Sequence, residues 1–380
     1  MIQPVVEIVD TLIVGAGPTG MTAAIALTLT GSNVMVVDKH AQGLEFSRAI
    51  LINSDSLRIF ESLGLKARIQ AQGIALQGIE IFDGNDSLID AWFAPPAAGQ
   101  GWSLPVNLAQ LETEACLAQR LADLDVRIER PWALTRLMQD QEGVSATLTH
   151  SVDASQTREI HARYLVGSDG FHSTTRELLG ISYPCISLPH PILAVDIGIE
   201  RWPFRAGLVV RRQHQGMVLV IRLNRQRARF VVTDPSAGQW AERWLGARKI
   251  IWSSEFHMSF ALAERYGIGR VWLAGDAAHV HSPIGGRGMN MGIADGAALA
   301  EAITRQEFAP YETERHAVAK AWVERNLKIA RVMTSQGRAA QMTRKGIFLA
   351  LRLGGLIAPQ RIAKALLKNL ANVQFSAPAA

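Results

Sequence analysis

Cysteine is almost absent from this sequence, because Cys116 and Cys185 are the only two. Two thiols support neither a disulfide framework nor a thiolate metal site. We therefore expect both residues to pack as small apolar side chains in a reducing compartment, and we predict no bound metal.

Long apolar runs are also missing, and no stretch reaches the length that a transmembrane helix needs. The N-terminus enters the first predicted strand without the basic segment and cleavage site of a secretory signal. These absences predict a cytoplasmic protein. With 48% hydrophobic and 19% charged residues, the composition is ordinary for a globular enzyme. A length of 380 residues favours two interleaved domains over one core.

Acidic residues stop at Glu324, although ten Lys or Arg residues follow and the net charge is +5. We expect no nucleic-acid partner, because neither interleaved aromatic residues nor a known reader motif accompanies these charges. A solvated face on C-terminal helices is the favoured interpretation. Contact of the basic, apolar segment 346–370 with a membrane is the second, less favoured because docking of this segment on its own domain explains the same pattern.

The strongest pattern that is present is TLIVGAGPTGMTAAIALTLTGSNVMVVD, at residues 11–38. Its order of strand, glycine turn, helix, strand and acid is that of a dinucleotide-binding βαβ unit. Gly15 permits the sharp turn, Gly17 lets a pyrophosphate approach the backbone, and Gly20 lets the helix pack closely on the strand. The helix N-terminus would face the phosphates. Asp38, 18 residues after Gly20, would accept hydrogen bonds from a ribose.

Two later strands also end in polar residues. The first apolar strand is followed by an Asp169-Gly turn and then by Arg176. The second ends at Gly275-Asp276, at the carboxyl edge where ligands bind in such sheets. A loop follows it, and then a helix of small residues from about Gly288.

Local patterns predict the elements between these motifs. Apolar residues at helical spacing indicate a helix that begins at Asn53 or Ser54 and ends at Gly64. Alternation that breaks at an Asp-Gly-Asn turn around Gly84 indicates a β-hairpin over 76–93.

A capping-box-like pattern, with Asn107 as N-cap and Gln110 at N3, predicts a helix that runs to about Asp123. The remaining expected elements are strands near 125–130, 133–139, 143–149 and 158–161 in an antiparallel meander, strands at 192–199, 207–212, 216–223 and 228–233 in a second, largely antiparallel sheet with the hairpin as companion, and helices at 236–248, 311–342 and 345–370.

Together the motifs resemble those of class A FAD-dependent monooxygenases of the p-hydroxybenzoate hydroxylase type. The resemblance covers about residues 8–330, and the order and separations of the motifs agree with the family. The matching stretches are Gly15-Ala-Gly-Pro-Thr-Gly20 for the first FAD fingerprint, Asp169-Gly-Phe-His-Ser-Thr-Thr-Arg176 for the internal DGxxSxxR motif, and Gly275-Asp-Ala-Ala-His279 with Pro283, Gly285, Gly286, Gly288, Met289 and Asn290 for the third signature.

The resemblance implies a tightly bound FAD. Asp38 would accept from the adenosine ribose, Asp276 from the ribityl chain, and the helix from Gly288 would direct its dipole at the flavin N1–C2=O edge. The implied cofactor-binding residues are Gly15, Gly17, Pro18, Thr19, Gly20, Asp38, Lys39, Arg48, Gln110, Asp169, Arg176, Gly275, Asp276, Pro283, Gly286, Gly288, Met289 and Asn290.

Four of these residues have a more specific implied place. Arg48 and Gln110 would flank the ribityl chain, and Asp169 with Arg176 would bridge the FAD and reductant regions. The alternative for Asp169 and Arg176 is a turn-forming carboxylate and a surface guanidinium at a helix start.

Near the ring, the catalytic contributors are unknown beyond Arg48, Pro283 and His281. His279 is expected to be a structural member of its motif, because no third ligand accompanies the two histidines. Arg287 stands where the family commonly has Gln, and it would either add a positive charge near the flavin or point outward. Asp38 stands where many relatives have Glu, and the shorter acid still serves as a ribose acceptor.

The implied fold is α/β, with a Rossmann-like FAD-binding domain of the glutathione-reductase type interleaved with a mainly antiparallel β-sheet substrate domain and followed by C-terminal helices. The expected divisions are a discontinuous FAD-binding domain at 1–75, 106–180 and 263–330, a substrate-binding sheet domain at 76–105 and 181–262, and a C-terminal helical segment at 331–380.

The chain has only one dinucleotide fingerprint, so NADPH or NADH would reduce the flavin transiently and leave. The resemblance implies that O2 then forms a C4a-hydroperoxyflavin, which hydroxylates an aromatic or polycyclic phenolic substrate. No general base can be named, because the family uses different residues for that step. Candidate pocket residues, equally explained as core, are Trp92, Phe93, Trp102, Met217, Leu219 and Ile221.

Other functions remain open at this point. A flavin-dependent halogenase shares the fold, but its WxWxIP signature is absent here. A membrane-associated quinone-pathway hydroxylase would use the basic, apolar C-terminal segment. A non-catalytic FAD-binding regulatory protein would bind FAD without substrate-stimulated NAD(P)H oxidation. The sequence does not distinguish a monomer from a homodimer.

Overall fold

A computed structural model describes residues 6–43, 49–92, 105–213, 216–232, 249–283, 286–334 and 338–357. Its strands are β1 (Glu7–Val14), β2 (Val34–Val37), β3 (Leu51–Ile52), β4 (Ile74–Ala75), β5 (Gly78–Asp83), β6 (Asp86–Trp92), β7 (Val106–Asn107), β8 (Ile128–Glu129), β9 (Trp132–Gln139), β10 (Val144–His150), β11 (Thr157–Gly167), β12 (Cys185–Gly198), β13 (Leu208–Gln213), β14 (Gly216–Arg222), β15 (Arg227–Val232), β16 (Lys249–Leu262), β17 (Gly267–Ile268), β18 (Val271–Leu273) and β19 (His279–Val280). Its helices are α1 (Pro18–Leu29), α2 (Ser54–Ser62), α3 (Lys66–Gln72), α4 (Gln110–Asp123), α5 (Thr174–Leu178), α6 (Gly288–Arg305), α7 (Phe308–Thr334) and α8 (Arg338–Ile357), with a 3₁₀ turn at Gly275–Ala277.

The first sheet is built around β1, which pairs in parallel with β2 on one side and β11 on the other. The path of the sheet is β17-β18-β11-β1-β2-β8. Ile13 belongs to the core under the helices, whereas Leu12 packs with residues of β9 and β10 on the opposite face. Because both faces of β1 are covered, its apolar run is continuous rather than alternating.

The predicted meander at 125–161 is only partly correct. β9, β10 and β11 are antiparallel neighbours, as predicted. β8, however, pairs in parallel with β2, where Val36 lies opposite Ile128. The physical reason is the connection: β8 follows α4, so it returns to the parallel sheet in the same direction as β2. The strand predicted to end at 161 also continues to Gly167 as one element, β11.

The second sheet has the order β19-β16-β12-β15-β14-β13-β5-β6, and it is antiparallel except where β13 pairs with β5. The hairpin predicted over 76–93 is β5 and β6, with Gly84 in the turn at φ +60°. Val218 and Val220 face an outer apolar cluster, while Leu219 faces inward. The two sheets and their helices agree with the predicted α/β fold class.

The helix predicted between Asn53 and Gly64 is α2. The Asn53 side chain accepts a hydrogen bond from the backbone N–H of Ser56 at 2.8 Å, which makes Asn53 the N-cap. Gly64 adopts φ +78°, which favours glycine after the helix end.

The predicted cap of α4 is wrong. The N-cap is Ala109, whose backbone N–H donates to the Glu112 carboxylate at 3.1 Å. Asn107 instead lies in β7, where Leu51 of β3 pairs with it. Its amide nitrogen donates to the carbonyl of Arg222 in β14 at 3.2 Å, so this side chain joins the small sheet of β3, β7 and β4 to the second sheet. The predicted helix end at Asp123 is confirmed.

The two C-terminal helices differ from the predicted ranges. The second begins at Arg338, inside the stretch 311–342 predicted for the first. Gly337, which disfavours a continuous helix, directly precedes it in the sequence. The helix predicted at 236–248 and the part of the second beyond 357 lie outside the described residues. No helix among the described residues is long and apolar enough to cross a membrane.

Candidate functional site

The three sequence motifs meet at one edge of the first sheet. The backbone N–H of Ser168 donates to the carbonyl of Val14 at 2.8 Å, and that of Ala274 donates to Gly167 at 3.0 Å. The carboxyl ends of β1, β11 and β18 therefore lie side by side. Such an edge is where doubly wound sheets bind ligands.

The three glycines of the first motif are needed for different structural reasons. Gly15 has φ +105°, and a Cβ on it would overlap the carbonyl of Ser168. A Cβ on Gly20 would overlap the carbonyl oxygen of Gly15. Gly17, in contrast, has no heavy atom within 4 Å of the position that a Cβ would take. The protein's own packing requires Gly15 and Gly20, whereas the bare α-carbon of Gly17 faces open space.

Helix α1 begins beside that open space. Gly17 is its N-cap, Pro18 its first residue, and no side chain caps it within the described residues. The N–H groups of Thr19 and Gly20 fall in the first turn, where a helix supplies no internal acceptor. An uncapped helix start next to a bare glycine can receive an anion.

Asp38 is held against this glycine turn. Its Oδ2 accepts from the backbone N–H of Ala16 at 2.8 Å, and its Oδ1 accepts from that of His40 at 2.9 Å. The Arg130 guanidinium lies 3.1 Å from Oδ1. Arg130 was not predicted, because it follows a short edge strand and belongs to none of the motifs. Lys39, the neighbour of Asp38, is exposed.

Gln110 opens α4 on the same side of the sheet. Its amide nitrogen donates to Glu114 Oε1 at 2.7 Å. Burial raises the pKa of Glu114, and the hydrogen bond from Gln110 and the charge of Arg130 offset part of that rise, while Asp38 adds to it. Glu114 therefore belongs to the same charged group as Asp38. Its position one helical turn after Gln110 was the available sequence signal.

Asp169 forms a turn, which is the alternative predicted for it from the sequence. Its Oδ1 accepts from the Ser173 hydroxyl at 2.5 Å, and its Oδ2 accepts from the backbone N–H of Thr175 at 3.0 Å. Burial raises the pKa of Asp169, although these hydrogen bonds act in the opposite direction.

Arg176 is buried rather than on the surface. Its guanidinium donates to the carbonyl of Ala277 and to that of Phe171, each at 2.9 Å. It therefore ties the second motif to the third. Its guanidinium carbon also lies 3.8 Å from the centre of the Tyr183 ring.

Tyr183 is a site residue that the sequence did not reveal. Its hydroxyl donates to the backbone carbonyl of Asp276 at 2.9 Å. Burial raises the pKa of Tyr183, and the Asp276 carboxylate adds to the rise. Tyr183 lies in a proline-rich connection with no periodic pattern, so no local signal distinguished it. Two side chains, Arg176 and Tyr183, thus hold consecutive carbonyls of the Gly275–Ala277 turn.

That turn exposes one carboxylate between buried neighbours. Gly275 and Ala277 are buried, but Asp276 is exposed. Gly275 adopts φ +64°, and a Cβ there would lie 2.5 Å from the Thr19 hydroxyl. The turn therefore packs directly on the start of α1, and the Asp276 carboxylate reaches the same edge as the glycine loop.

A buried ionic group supports the turn from behind. Asp295 Oδ2 accepts from the backbone N–H of Gly275 at 3.1 Å and lies 2.5 Å from His279 Nε2. Its Oδ1 accepts from Arg315 Nε at 2.6 Å. Burial would raise the pKa of Asp295, but Arg315 and His279 outweigh burial and lower it. His279 therefore has the geometry of a structural residue. Among the described residues, no group of His, Cys, Asp or Glu is arranged to hold a metal ion.

Asn290, near the start of α6, uses its side chain on the protein. Its amide nitrogen donates to the carbonyls of Leu51 and Gly286, each at 2.7 Å, and its amide oxygen accepts from the backbone N–H of Asn53 at 2.8 Å. Any contact of Asn290 with a cofactor is left to its backbone. No side chain of the described residues caps α6, so the N–H groups of its first turn, from Gly288, are available to a ligand.

The loop before α6 contains the residues expected near the ring. Pro283 is exposed, and its carbonyl accepts from the backbone N–H of Gly286 at 2.9 Å. His281 Nδ1 lies 2.9 Å from the Ser282 carbonyl oxygen, and burial lowers the pKa of His281 to about 4. His281 is therefore neutral at physiological pH. Ile284 and Gly285 lie outside the described residues.

Arg287, the residue before α6, does not point into solvent. It is buried, with its guanidinium carbon 3.8 Å from the centre of the Trp322 ring. Burial lowers the pKa of Arg287 to about 10, so it stays charged. Of the two alternatives for Arg287, the one in which it points outward is wrong, because the Trp322 indole of α7 covers its guanidinium.

The candidate pocket residues are only partly described. Met217, Leu219 and Ile221 lie on the inner face of the second sheet, in a cluster that includes Leu51 and Phe348. The other three pocket candidates lie outside what the structure describes: the side chain of Trp92, and residues Phe93 and Trp102. The same is true of Arg48 from the predicted cofactor-binding set.

Known proteins are similar to this chain in sequence and in fold. A family model described as an FAD binding domain matches residues 8–245 and 241–326. Rifampicin monooxygenase of Streptomyces venezuelae is 31% identical over 339 residues, 82% of this chain and 68% of the relative. The 12-dehydrotetracycline 5-monooxygenase/anhydrotetracycline 6-monooxygenase of Streptomyces rimosus is 29% identical over 85% of this chain and 69% of its own. The crystal structure of p-nitrophenol 4-monooxygenase from Pseudomonas putida superposes with a TM-score of 0.81 and 20% identity, covering 97% of this chain and all of the other.

Proposed function

Because this chain belongs to the FAD-binding-domain family of flavin-dependent monooxygenases, we propose that it hydroxylates an aromatic or polycyclic phenolic substrate with O2 and NADPH or NADH. It is an FAD-dependent monooxygenase. The substrate class is inferred from relatives whose names specify rifampicin, 12-dehydrotetracycline and anhydrotetracycline. No described feature favours the regulatory alternative, and none indicates a quinone-pathway substrate.

The observation that carries the proposed site is the convergence of three ligand-accepting features at one sheet edge. The bare α-carbon of Gly17 adjoins the uncapped start of α1, the Asp276 carboxylate is exposed, and α6 begins without a side-chain cap. FAD needs N–H donors for its pyrophosphate, acceptors for its two polyols and a positive dipole near its ring. These residues fit those needs.

We assign the roles as follows. Gly15 to Gly20 would hold the pyrophosphate, Asp38 the ribose, and Asp276 the ribityl chain. Gln110, with its partner Glu114, would approach the ribityl chain from α4. The remaining assigned residues are Lys39, Arg48, Asp169, Arg176, Gly275, Pro283, Gly286, Gly288, Met289 and the backbone of Asn290.

When bound, FAD supplies the redox chemistry by accepting a hydride and activating O2. The chain positions the ring and stabilises the negative charge of its reduced form through the N–H groups at the start of α6, a contribution of about 0.3–1 kcal/mol. Neutral His281 adds no charge of its own near the ring. The apolar inner face at Leu219 and Ile221 would exclude water from the reacting centre.

Four finer points belong to this proposal as well. Transient binding of the nicotinamide and residence in the cytoplasm are inferences from the sequence, and a monomer and a homodimer both remain compatible with it. The division into an FAD-binding domain (1–75, 106–180 and 263–330), a substrate domain (76–105 and 181–262) and a C-terminal segment (331–380) is likewise a prediction. The hydrogen bond from Asn107 to Arg222 joins residues that this division assigns to different domains.

The deciding experiment measures NAD(P)H oxidation and O2 uptake by the purified yellow holoprotein over a panel of monocyclic and polycyclic phenols. At least one phenol should stimulate both rates and yield a hydroxylated product. FAD-depleted protein is the control and should be inactive until FAD is restored. Full FAD occupancy with no stimulation by any phenol would instead indicate a regulatory FAD-binding protein.

A further inference from the structure

Helix α8 presents an apolar surface to solvent. Met342, Leu349 and Leu353 are 74%, 57% and 54% exposed. Their spacing of seven and then four residues places them on one side of the helix, with the exposed Gly346 between them. We call Met342, Gly346, Leu349 and Leu353 the α8 outer face.

The opposite side of the same helix is docked on the protein. Phe348 is buried in the cluster with Ile79 and Leu208, and Leu351 packs against it. Arg344 is buried and donates to the carbonyl of Val332 at 2.7 Å. Docking on the chain's own domain therefore explains only the inner half of the helix. The α8 outer face faces away from that core.

Positive charge flanks the α8 outer face. Lys345 is exposed, and the Arg352 side chain is 59% exposed, with a guanidinium nitrogen 3.8 Å from the carboxylate of the exposed Asp86 on β6. Both lie along one side of the apolar stripe at helical spacing. No acidic residue follows Glu324 in the sequence, so no carboxylate of α8 neutralises these cations within the helix.

We infer that the α8 outer face binds the surface of an anionic lipid bilayer. An amphipathic helix with Leu on one face and Lys or Arg beside it lies in the bilayer interface, where its apolar side chains enter the headgroup boundary. Lys345 and Arg352 would meet anionic headgroups, which attract each cation near the surface. A second copy of the chain is disfavoured as the occupant, because it would bring the same cations together. The contact is peripheral, because an amphipathic helix of this kind lies in the plane of the bilayer interface.

The test is sedimentation of the full-length holoprotein with two kinds of vesicle. One is pure phosphatidylcholine, and the other contains about 30% phosphatidylglycerol as the anionic lipid. Wild-type protein should sediment with the anionic vesicles, bind the neutral ones at least about tenfold more weakly, and be released by high salt.

Two double variants with the same change of net charge separate the contribution of the α8 outer face from the effect of added negative charge elsewhere on the protein. Leu349→Glu/Leu353→Glu should lower the partition onto anionic vesicles by about tenfold or more, because it removes apolar contact and adds repulsion. Met138→Glu/Val152→Glu is the matched control and should bind as wild type. It changes two exposed apolar residues away from α8, Met138 on β9 and Val152 in the turn after β10. Flavin content and melting temperature check that both variants fold.

Three results would overturn the inference: equal binding of both double variants, no binding of wild type to anionic vesicles, or equal binding of wild type to both vesicle types. Binding to immobilised polyglutamate without binding to vesicles would identify an acidic protein as the partner instead. A dimer of wild type that only Leu349→Glu/Leu353→Glu dissociates, without vesicle binding, would identify self-association. Neither of those alternatives touches the hydroxylase assay, so the two proposals fail independently.

Discussion

At the scale of single residues, the third motif depends on side chains that lie outside it. Tyr183 and Arg176 donate to the carbonyls of Asp276 and Ala277 in turn, while Asp295 accepts from the N–H of Gly275. The turn that exposes Asp276 is thus held on both of its backbone edges. The conformation of the carboxylate assigned to FAD depends on these hydrogen bonds.

Replacing Tyr183→Phe tests that dependence. The variant loses one hydrogen bond, worth about 1 kcal/mol, and should therefore bind FAD about fivefold more weakly. The measurement is quenching of flavin fluorescence when FAD is titrated into the apoprotein. The matched control is Tyr164→Phe, which should bind FAD as wild type does. Tyr164 is a buried tyrosine on β11 that packs against Phe308 of α7. An unchanged dissociation constant for Tyr183→Phe would contradict the positioning role.

At the scale of elements, the start of α1 serves packing and ligand binding through different glycines. A Cβ on Gly20 would overlap both Gly15 and the Ser168 hydroxyl, and a Cβ on Gly292 of α6 would overlap the Thr19 hydroxyl. Close approach of α1 to the strand and to α6 therefore needs glycine at these positions. Gly17 has the extended conformation φ −80°, ψ −179°, which any residue adopts. A side chain introduced at this position would therefore be restricted only by a ligand that fills the space beside it.

Two alanine substitutions should separate these roles. Gly20→Ala should lower the free energy of unfolding of the apoprotein by about 1–3 kcal/mol, because the added methyl group overpacks the helix–strand contact. Gly17→Ala should change that free energy by less than about 0.5 kcal/mol, because its methyl group meets no protein atom. It should weaken FAD binding by about tenfold or more, because the methyl group occupies the pyrophosphate space.

Urea unfolding of the apoproteins and FAD titration measure these two effects. Each glycine variant is the control for the other. If Gly17→Ala kept wild-type FAD affinity, the pyrophosphate would not lie against this glycine. If Gly20→Ala were as stable as wild type, the packing explanation for Gly20 would be wrong.

At the scale of the whole molecule, the assigned FAD site is built from distant parts of the chain that other contacts also hold together. β19, within the third motif, pairs with β16 of the second sheet, and Asn107 joins the small sheet to β14. A ligand that touches α1, the Gly275–Ala277 turn and α6 therefore stabilises the assembled fold. The unfolded chain does not hold these three parts together, so FAD binds the folded state in preference.

Melting of the apoprotein with and without added FAD tests this coupling. FAD at about 100 times its dissociation constant contributes about 2.7 kcal/mol, which should raise Tm by about 3 °C. FMN, which lacks the adenosine half, is the control at the same concentration and should give a smaller rise. An equal rise with FMN would indicate that the adenosine side, at Asp38 and the glycine turn, contributes little.

Much of the candidate site was predictable because its signals are local. The glycine turn, the cap at Asn53 and the hairpin around Gly84 each require particular residues within a few positions, so the sequence shows them directly. The cap predicted at Asn107 failed for the opposite reason. A three-strand pairing, formed by residues far apart in sequence, draws Asn107 into β7 and moves the helix start to Gln110.

The sequence by itself determined the βαβ unit, the three motifs, the FAD family and the interrupted order of the two sheets, because short-range patterns and spacing carry that information. Only the tertiary structure decided that Arg176 is buried across the third motif, that Tyr183 and Asp295 hold the Gly275–Ala277 turn, and that Trp322 covers Arg287. It also decided which side of α8 is docked and which remains exposed. The reason is that burial and hydrogen-bond partners depend on where the chain returns in space, and sequence spacing does not specify that return.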